Sequence, residues 1–163
     1  MKQTFTSSAT SINKAKLPAV YSKAPLSAPV VIDYGCGKYT NHIREAIPDK
    51  VYLPYDPYNQ PEKVNKMTMR IAKRTLCPID VVCSNVLNVI DSDEVVQSIV
   101  NEIETIVFKN HGTAYFTVYE GDRSGIGRQT GPDQYQRNEP LRKYLRFFRL
   151  ADIRNGMIIV RGI

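Results

Sequence analysis

The run Val30-Val31-Ile32-Asp33-Tyr34-Gly35-Cys36-Gly37-Lys38 restricts this chain more than any other stretch. Its continuous apolar start reads as a buried parallel strand, covered on both faces. Gly35 and Gly37 then permit a backbone path and a close ligand approach that a Cβ would forbid. A helical pattern opens at Thr40-Asn41-His42-Ile43, which would turn free N–H groups and the positive end of a helix toward the same crevice. A tight strand-to-helix turn needs such glycines even with no ligand, so the following segment decides. Residues 51–55 read as a second strand, and it ends in Asp56-Pro57-Tyr58. An acid about 20 residues beyond a glycine turn is where an α/β nucleotide fold sets a carboxylate on ribose hydroxyls.

Asp33, Gly35 and Gly37 spell Asp-x-Gly-x-Gly, and with Asp56 the pattern resembles the class I S-adenosylmethionine-dependent methyltransferases. A dinucleotide-binding turn would prefer a third glycine where Thr40 stands. The resemblance implies a Rossmann-like α/β fold, a mostly parallel sheet with a C-terminal antiparallel hairpin, and S-adenosylmethionine as methyl donor. One departure is large: only Thr75-Leu76-Cys77-Pro78 separates a helix from the strand at residues 79–85. The family's third strand is therefore expected to be reduced or missing, and adenine contacts must come from elsewhere. Ser84-Asn85-Val86-Leu87 stands at the family's fourth motif without the proline pair and aromatic of enzymes that methylate exocyclic amines of DNA bases.

Composition sets the outer bounds. A chain of 163 residues suits one domain: an arm or lid over residues 1–28, then a single methyltransferase-like domain over 29–163. No long apolar run or charged leader is present, so a soluble, cytoplasmic protein with no membrane partner is expected. Cys36, Cys77 and Cys83 lack metal-ligand spacing and read as buried thiols in a reducing compartment, with no metal expected. Formal charge is +4 over residues 1–50, −2 over 51–119 and +4 over 120–163. Basic ends suit an acidic partner such as DNA or RNA, although modest positive charge also simply aids solubility.

Between these landmarks the chain alternates. Ile12 to Val20 has the length of a short helix. Asn59-Gln60-Pro61-Glu62 resembles a helix start with Asn59 as cap, and Val64, Met67 and Ile71 form its apolar stripe. Lys63, Lys66, Arg70, Lys73 and Arg74 lie on its other sides; a solvated face is the commoner reading, a phosphate-tracking face the other. Val95, Val96, Ile99, Val100, Ile103, Ile106 and Val107 give a core helix. Residues 113–119 make the next strand. Asn138 is placed to cap a helix carrying Leu141, Tyr144, Leu145 and Phe148. The pair Asn155-Gly156 between two apolar runs is a strong hairpin signal.

Residues 120–138 carry no apolar period, and a loop of that length inside a compact domain is functional or disordered. Together with the glycine motif and the segment from Ser84 to Ile90, this loop narrows the likeness. The chain resembles small methyltransferase-like proteins found near bacterial DNA phosphorothioation systems. In that reading Asp33, Tyr34, Gly35, Cys36, Gly37, Asp56, Pro57, Tyr58, Ser84, Asn85 and Val86 hold S-adenosylmethionine or S-adenosylhomocysteine. Asn85, Tyr119 and Asp122 are the catalytic candidates, while His42 and His111 fall at helix positions. Arg123, Arg128, Gln134, Tyr135 and Arg137 would meet the acceptor, with the loop independent of the cofactor. Two rival classes stay open: a silent methyltransferase-like binding protein that sequesters the cofactor or acts against defence systems, and a cofactor-cleaving enzyme.

Overall fold

A computed structural model describes residues 3–8 and 14–163. Six strands form one sheet: β1 (Val30–Tyr34), β2 (Val51–Tyr55), β3 (Ile79–Ser84), β4 (Thr113–Thr117), β7 (Asp152–Arg154) and β8 (Met157–Arg161). Their order is β2-β1-β3-β4-β8-β7. Pairs β1–β2, β1–β3 and β3–β4 are parallel, whereas β4–β8 and β7–β8 are antiparallel. This is the Rossmann-like class I methyltransferase sheet with its third strand absent. The chain passes from β2 through α3 (Glu62–Arg74) straight into β3, so the order reverses at β1 and β2 becomes an edge.

The helices divide by crossover direction. α2 (Asn41–Ala46) covers one face, while α3 and α4 (Asp93–Asn110) cover the other, as right-handed connections from a reversing strand order require. Val31, Val82, Tyr115 and Ile159 fill the first face with Val20 of α1 (Val20–Lys23). Ile32, Val81, Phe116 and Ile158 pack on the second against Val96, Val100 and Ile103. Ser92 caps α4, its hydroxyl accepting from the Val95 amide at 3.3 Å, and His111 closes it in the left-handed region. Asn155 and Gly156, with φ of 51° and 70°, form the tight turn between β7 and β8 that their sequence calls for.

Several local expectations are corrected. Ile12 lies outside the described residues, and the described stretch 14–18 is not helical, the helix beginning only at Val20. Pro61, not Asn59, occupies the N-cap of α3. The buried face of α3 centres on Thr68 and Ala72, leaving Met67 50% exposed, because the Thr68 hydroxyl donates to the Pro54 carbonyl at 2.7 Å and fixes the rotation. Its cationic residues are exposed, and Lys66 pairs with Glu62. Asn138 is buried and donates to Ile126 O instead of capping, so Pro140 precedes a 3-10 helix at Leu141–Phe147. Cys77 is exposed while Cys83 is buried. No helix among the described residues is long and apolar enough to cross a membrane.

Residues 120–138 are not a featureless loop. They contain the antiparallel pair β5 (Arg128–Gly131) and β6 (Gln134–Gln136). Asp133 in its turn receives the Thr6 amide at 2.9 Å, the Thr6 hydroxyl and, on its carbonyl, the Ser7 amide. Phe5 stacks on Tyr135 with ring centres 5.6 Å apart.

Candidate functional site

The carboxyl ends of β1, β2 and β3 surround a crevice of about 560 Å³ at the point where strand order reverses, the usual ligand position in open α/β sheets. Gly35 and Gly37 sit at φ of 79° and 78°. A Cβ on Gly35 would lie 2.3 Å from Val86 Cγ2, so the first glycine lets the loops after β1 and β3 touch. The loop's amides are all engaged. Gly35 N and Cys36 N donate to Tyr55 O at 2.7 and 3.3 Å, and Gly37 N donates to Asp56 Oδ2 at 2.9 Å. A phosphate cradle needs free N–H groups, and this loop offers none of the three.

Asp56 is the clasp. Its Oδ2 accepts from Gly37 N and from Asn59 Nδ2 (3.1 Å), and its Oδ1 accepts from Tyr58 N (2.9 Å) and Asn59 N (3.0 Å). Four acceptor positions are thereby filled by the protein. Asn65 of α3 adds a second tie, accepting from Asp56 N and donating to Asp56 O. Because the Asp56 carboxylate only accepts, Asn59 must turn its Nδ2 toward it. That leaves Asn59 Oδ1 buried beside the crevice without a hydrogen-bond partner among the described residues.

Asp33 faces the other way. It is 4% exposed, and the Tyr52 hydroxyl donates to its Oδ2 at 2.6 Å. Burial pushes its carboxyl up to about 6, against the opposing effect of the Tyr52 hydroxyl. It lines a second cavity on the α2 side of the loop and not the main crevice. Burial also pushes the Cys36 thiol up, so it lines the site as a neutral group. Ser84 accepts from the Thr117 hydroxyl at 3.0 Å, and Asn85, at φ 55°, lines both cavities.

The main crevice thus gathers Tyr34, Gly35, Cys36, Gly37, Asp56, Pro57, Tyr58, Ser84, Asn85 and Val86. α4 supplies Val95, Ser98, Ile99 and Glu102 to the crevice wall. Tyr34 donates to Glu102 Oε2 at 3.0 Å and lies 4.7 Å from the Tyr55 ring. Sequence reasoning placed α4 wholly in the core. Ser98 and Glu102 are four residues apart and share a face, but every amphipathic helix has such a polar face. Gln3, Thr6 and Ser7 of the arm also line the crevice, and Gln3 N donates to the Tyr58 hydroxyl at 3.3 Å.

The expected acceptor residues are dispersed. Tyr119 is 64% exposed, Asp122 is exposed, and neither lines a cavity described here. The Ser124 hydroxyl and amide hold the Asp122 carboxyl below its usual range, which suits a loop tie better than a base. Arg123 pairs with Glu120, while Arg128 is exposed on β5. Arg137 does not face solvent at all: it is 5% exposed, donates to Ile90 O at 2.5 Å and pairs with Asp93 at 2.7 Å. It anchors β6 to the start of α4. Nor is the 120–138 segment independent of the crevice, since its hairpin carries the arm that lines it.

No protein-family model, curated protein or solved structure matches this chain.

Proposed function

We propose that the chain binds S-adenosylmethionine in the main crevice and transfers its methyl group. The observation that carries this reading is the glycine loop whose three amides are spent within the protein. Such a loop gives a diphosphate nothing to bind, but it admits a nucleoside that ends in a cation. Tyr34, Tyr55, Val86 and Ile99 supply apolar and aromatic walls for a purine. Glu102 can accept from an exocyclic amine, and the unpartnered Asn59 Oδ1 can take a ribose hydroxyl that Asp56 has no acceptor left to hold. The bound group would supply an activated methyl, and the protein's part is alignment and exclusion of water. The thiols are all free, which suits a reducing, cytoplasmic compartment. The basic excess over residues 1–50 and 120–163 suits an acidic acceptor such as nucleic acid.

Calorimetry tests the reading directly. Titration with S-adenosylmethionine and S-adenosylhomocysteine should release heat with one-to-one stoichiometry. A flat titration with both sinks the methyltransferase reading and the cofactor-sequestering alternative together.

The arm should act as a cover held by the hairpin. Thr6 holds the Asp133 carboxyl below its usual range, and Gln3 N ties the other end of the arm to the Tyr58 hydroxyl. Asp133→Ala is expected to weaken S-adenosylhomocysteine binding by about five- to tenfold, mainly through faster release. Unchanged dissociation in a stopped-flow displacement experiment would show that the arm is not part of the ligand's enclosure.

A further inference from the structure

The second cavity, of about 380 Å³, shares Gly35, Cys36, Ser84 and Asn85 with the main crevice. These residues are a common wall, so a group at the end of the crevice meets whatever fills the cavity behind. Beyond that wall stand Asp33, Tyr39, His42 and the segment 16–19. Lys16 and Lys38 line the cavity as well, and Lys14 holds its ammonium 4.8 Å from the centre of the Tyr39 ring. His42 Nδ1 is shut off from solvent with no hydrogen-bond partner among the described residues. A buried polar atom left so calls for a reason.

We propose that this second cavity takes the methyl acceptor, that the acceptor is a nucleotide, and that its N–H or O–H proton passes to His42. The inference rests on the methyl-donor reading of the main crevice. Three features converge on it. The cations Lys14, Lys16 and Lys38 suit a phosphate, and the Tyr39 ring offers a face to a base. A cavity of this size holds one base and not a base pair, so the acceptor is a free monophosphate or a single nucleotide standing out of its strand's stack. His42 is the only imidazole among the residues lining either cavity. The ionisable groups lining the cavity with it are Asp33, Cys36, Lys16, Lys38 and Tyr39. Asp33 Oδ2 accepts from the Tyr52 hydroxyl, whereas His42 Nδ1 has no hydrogen-bond partner among the described residues, so the base role falls to the imidazole.

The step balances simply. The acceptor nitrogen or oxygen forms a bond to the methyl carbon with its lone pair. The carbon–sulfur bond breaks and its electrons remain on sulfur. The acceptor proton goes to Nδ1 of His42, and the resulting imidazolium releases its Nε2 proton to water.

His42→Asn keeps a polar atom near the Nδ1 position but cannot take a proton. Its affinity for S-adenosylhomocysteine should stay within about threefold of wild type by calorimetry. Transfer of tritiated methyl to a deoxynucleoside monophosphate mixture, or to a mixed-sequence single-stranded oligonucleotide, should fall by about 100-fold or more. Which of the two probes takes label from wild type identifies the source of the nucleotide. In wild type with S-adenosylhomocysteine bound, adding the accepting probe should shift the ring resonances of His42 and leave those of His111 alone, because His111 closes α4 at the far end of the sheet. That measurement holds even if the variant folds poorly. Undiminished transfer by the variant, or a silent His42 ring, overturns the role of His42. No label on either probe from a wild-type protein that binds S-adenosylhomocysteine overturns the nucleotide acceptor. Loss of S-adenosylhomocysteine binding in a folded variant assigns the cavity to the donor instead. A flat wild-type titration is a different failure, that of the methyl-donor reading itself.

Discussion

Replacing Asp56 with asparagine is expected to destabilise the ligand-free chain by about 2–5 kcal/mol and to weaken S-adenosylhomocysteine binding by more than about tenfold. The substitution is isosteric, so sterics are not the cause. The carboxylate accepts from three backbone amides and one side-chain amide. An asparagine offers one accepting oxygen and must aim its own N–H groups at two of those donors. At least two amides then lose their partner, and an unmet buried donor costs about 1–3 kcal/mol. The loop after β1 would be released from the tip of β2, taking the crevice floor with it. Urea unfolding at unchanged m-value measures the first effect. If stability is untouched while binding is lost, the carboxylate has slack and serves the ligand, contrary to the geometry.

Asp33→Asn should act in the opposite direction and only above acid pH. The folded carboxyl sits at about 6, raised from 3.8 chiefly by burial. A raised acid favours the folded state in its protonated form. Its stabilising contribution is therefore complete below about pH 4 and is lost as pH rises through about 6. At pH 8 wild type carries an ionised buried carboxylate, a cost on the order of 3 kcal/mol for a shift of about two units. The substituted side chain would keep an oxygen for the Tyr52 hydroxyl and carry no charge. Wild type and variant should thus have a similar offset at pH 4, with the variant gaining about 2–3 kcal/mol between pH 4 and pH 8. A difference in urea midpoints that does not change with pH would show that Asp33 is solvated or paired more fully than its surroundings indicate.

The sheet was legible because its signals are local and strong. Val30, Val31 and Ile32 are continuous and apolar, Asn155-Gly156 dictates a tight turn, and the stripe from Val95 to Val107 has one period. Even the absent strand could be read, from the few residues between α3 and β3. What failed were polar residues whose partners are distant in sequence or in an unexpected direction. Asn59 resembles a cap, yet the Asp56 carboxylate claims it. Arg137 resembles a surface cation, yet it is buried against Ile90 and Asp93. The β5–β6 hairpin is polar on both faces, so no alternation marked it, though Gly131-Pro132-Asp133 was a turn signal. His42 could not be distinguished from any other helical histidine until the cavity beside it was formed.

The lost third strand leaves β2 with one open side, and Pro54 determines what that side can do. Val51 donates to Pro29 O and Tyr55 accepts from Gly35, so residues 51, 53 and 55 bond toward β1 and residues 52 and 54 point outward. At position 54 the ring removes the donor, and the Thr68 hydroxyl occupies the carbonyl. The outward rim therefore lacks, at its middle, both groups that a visiting strand would need. A chain that deletes a strand from an open sheet exposes a template for intermolecular pairing. Here one imino acid and one threonine close that template without restoring the strand.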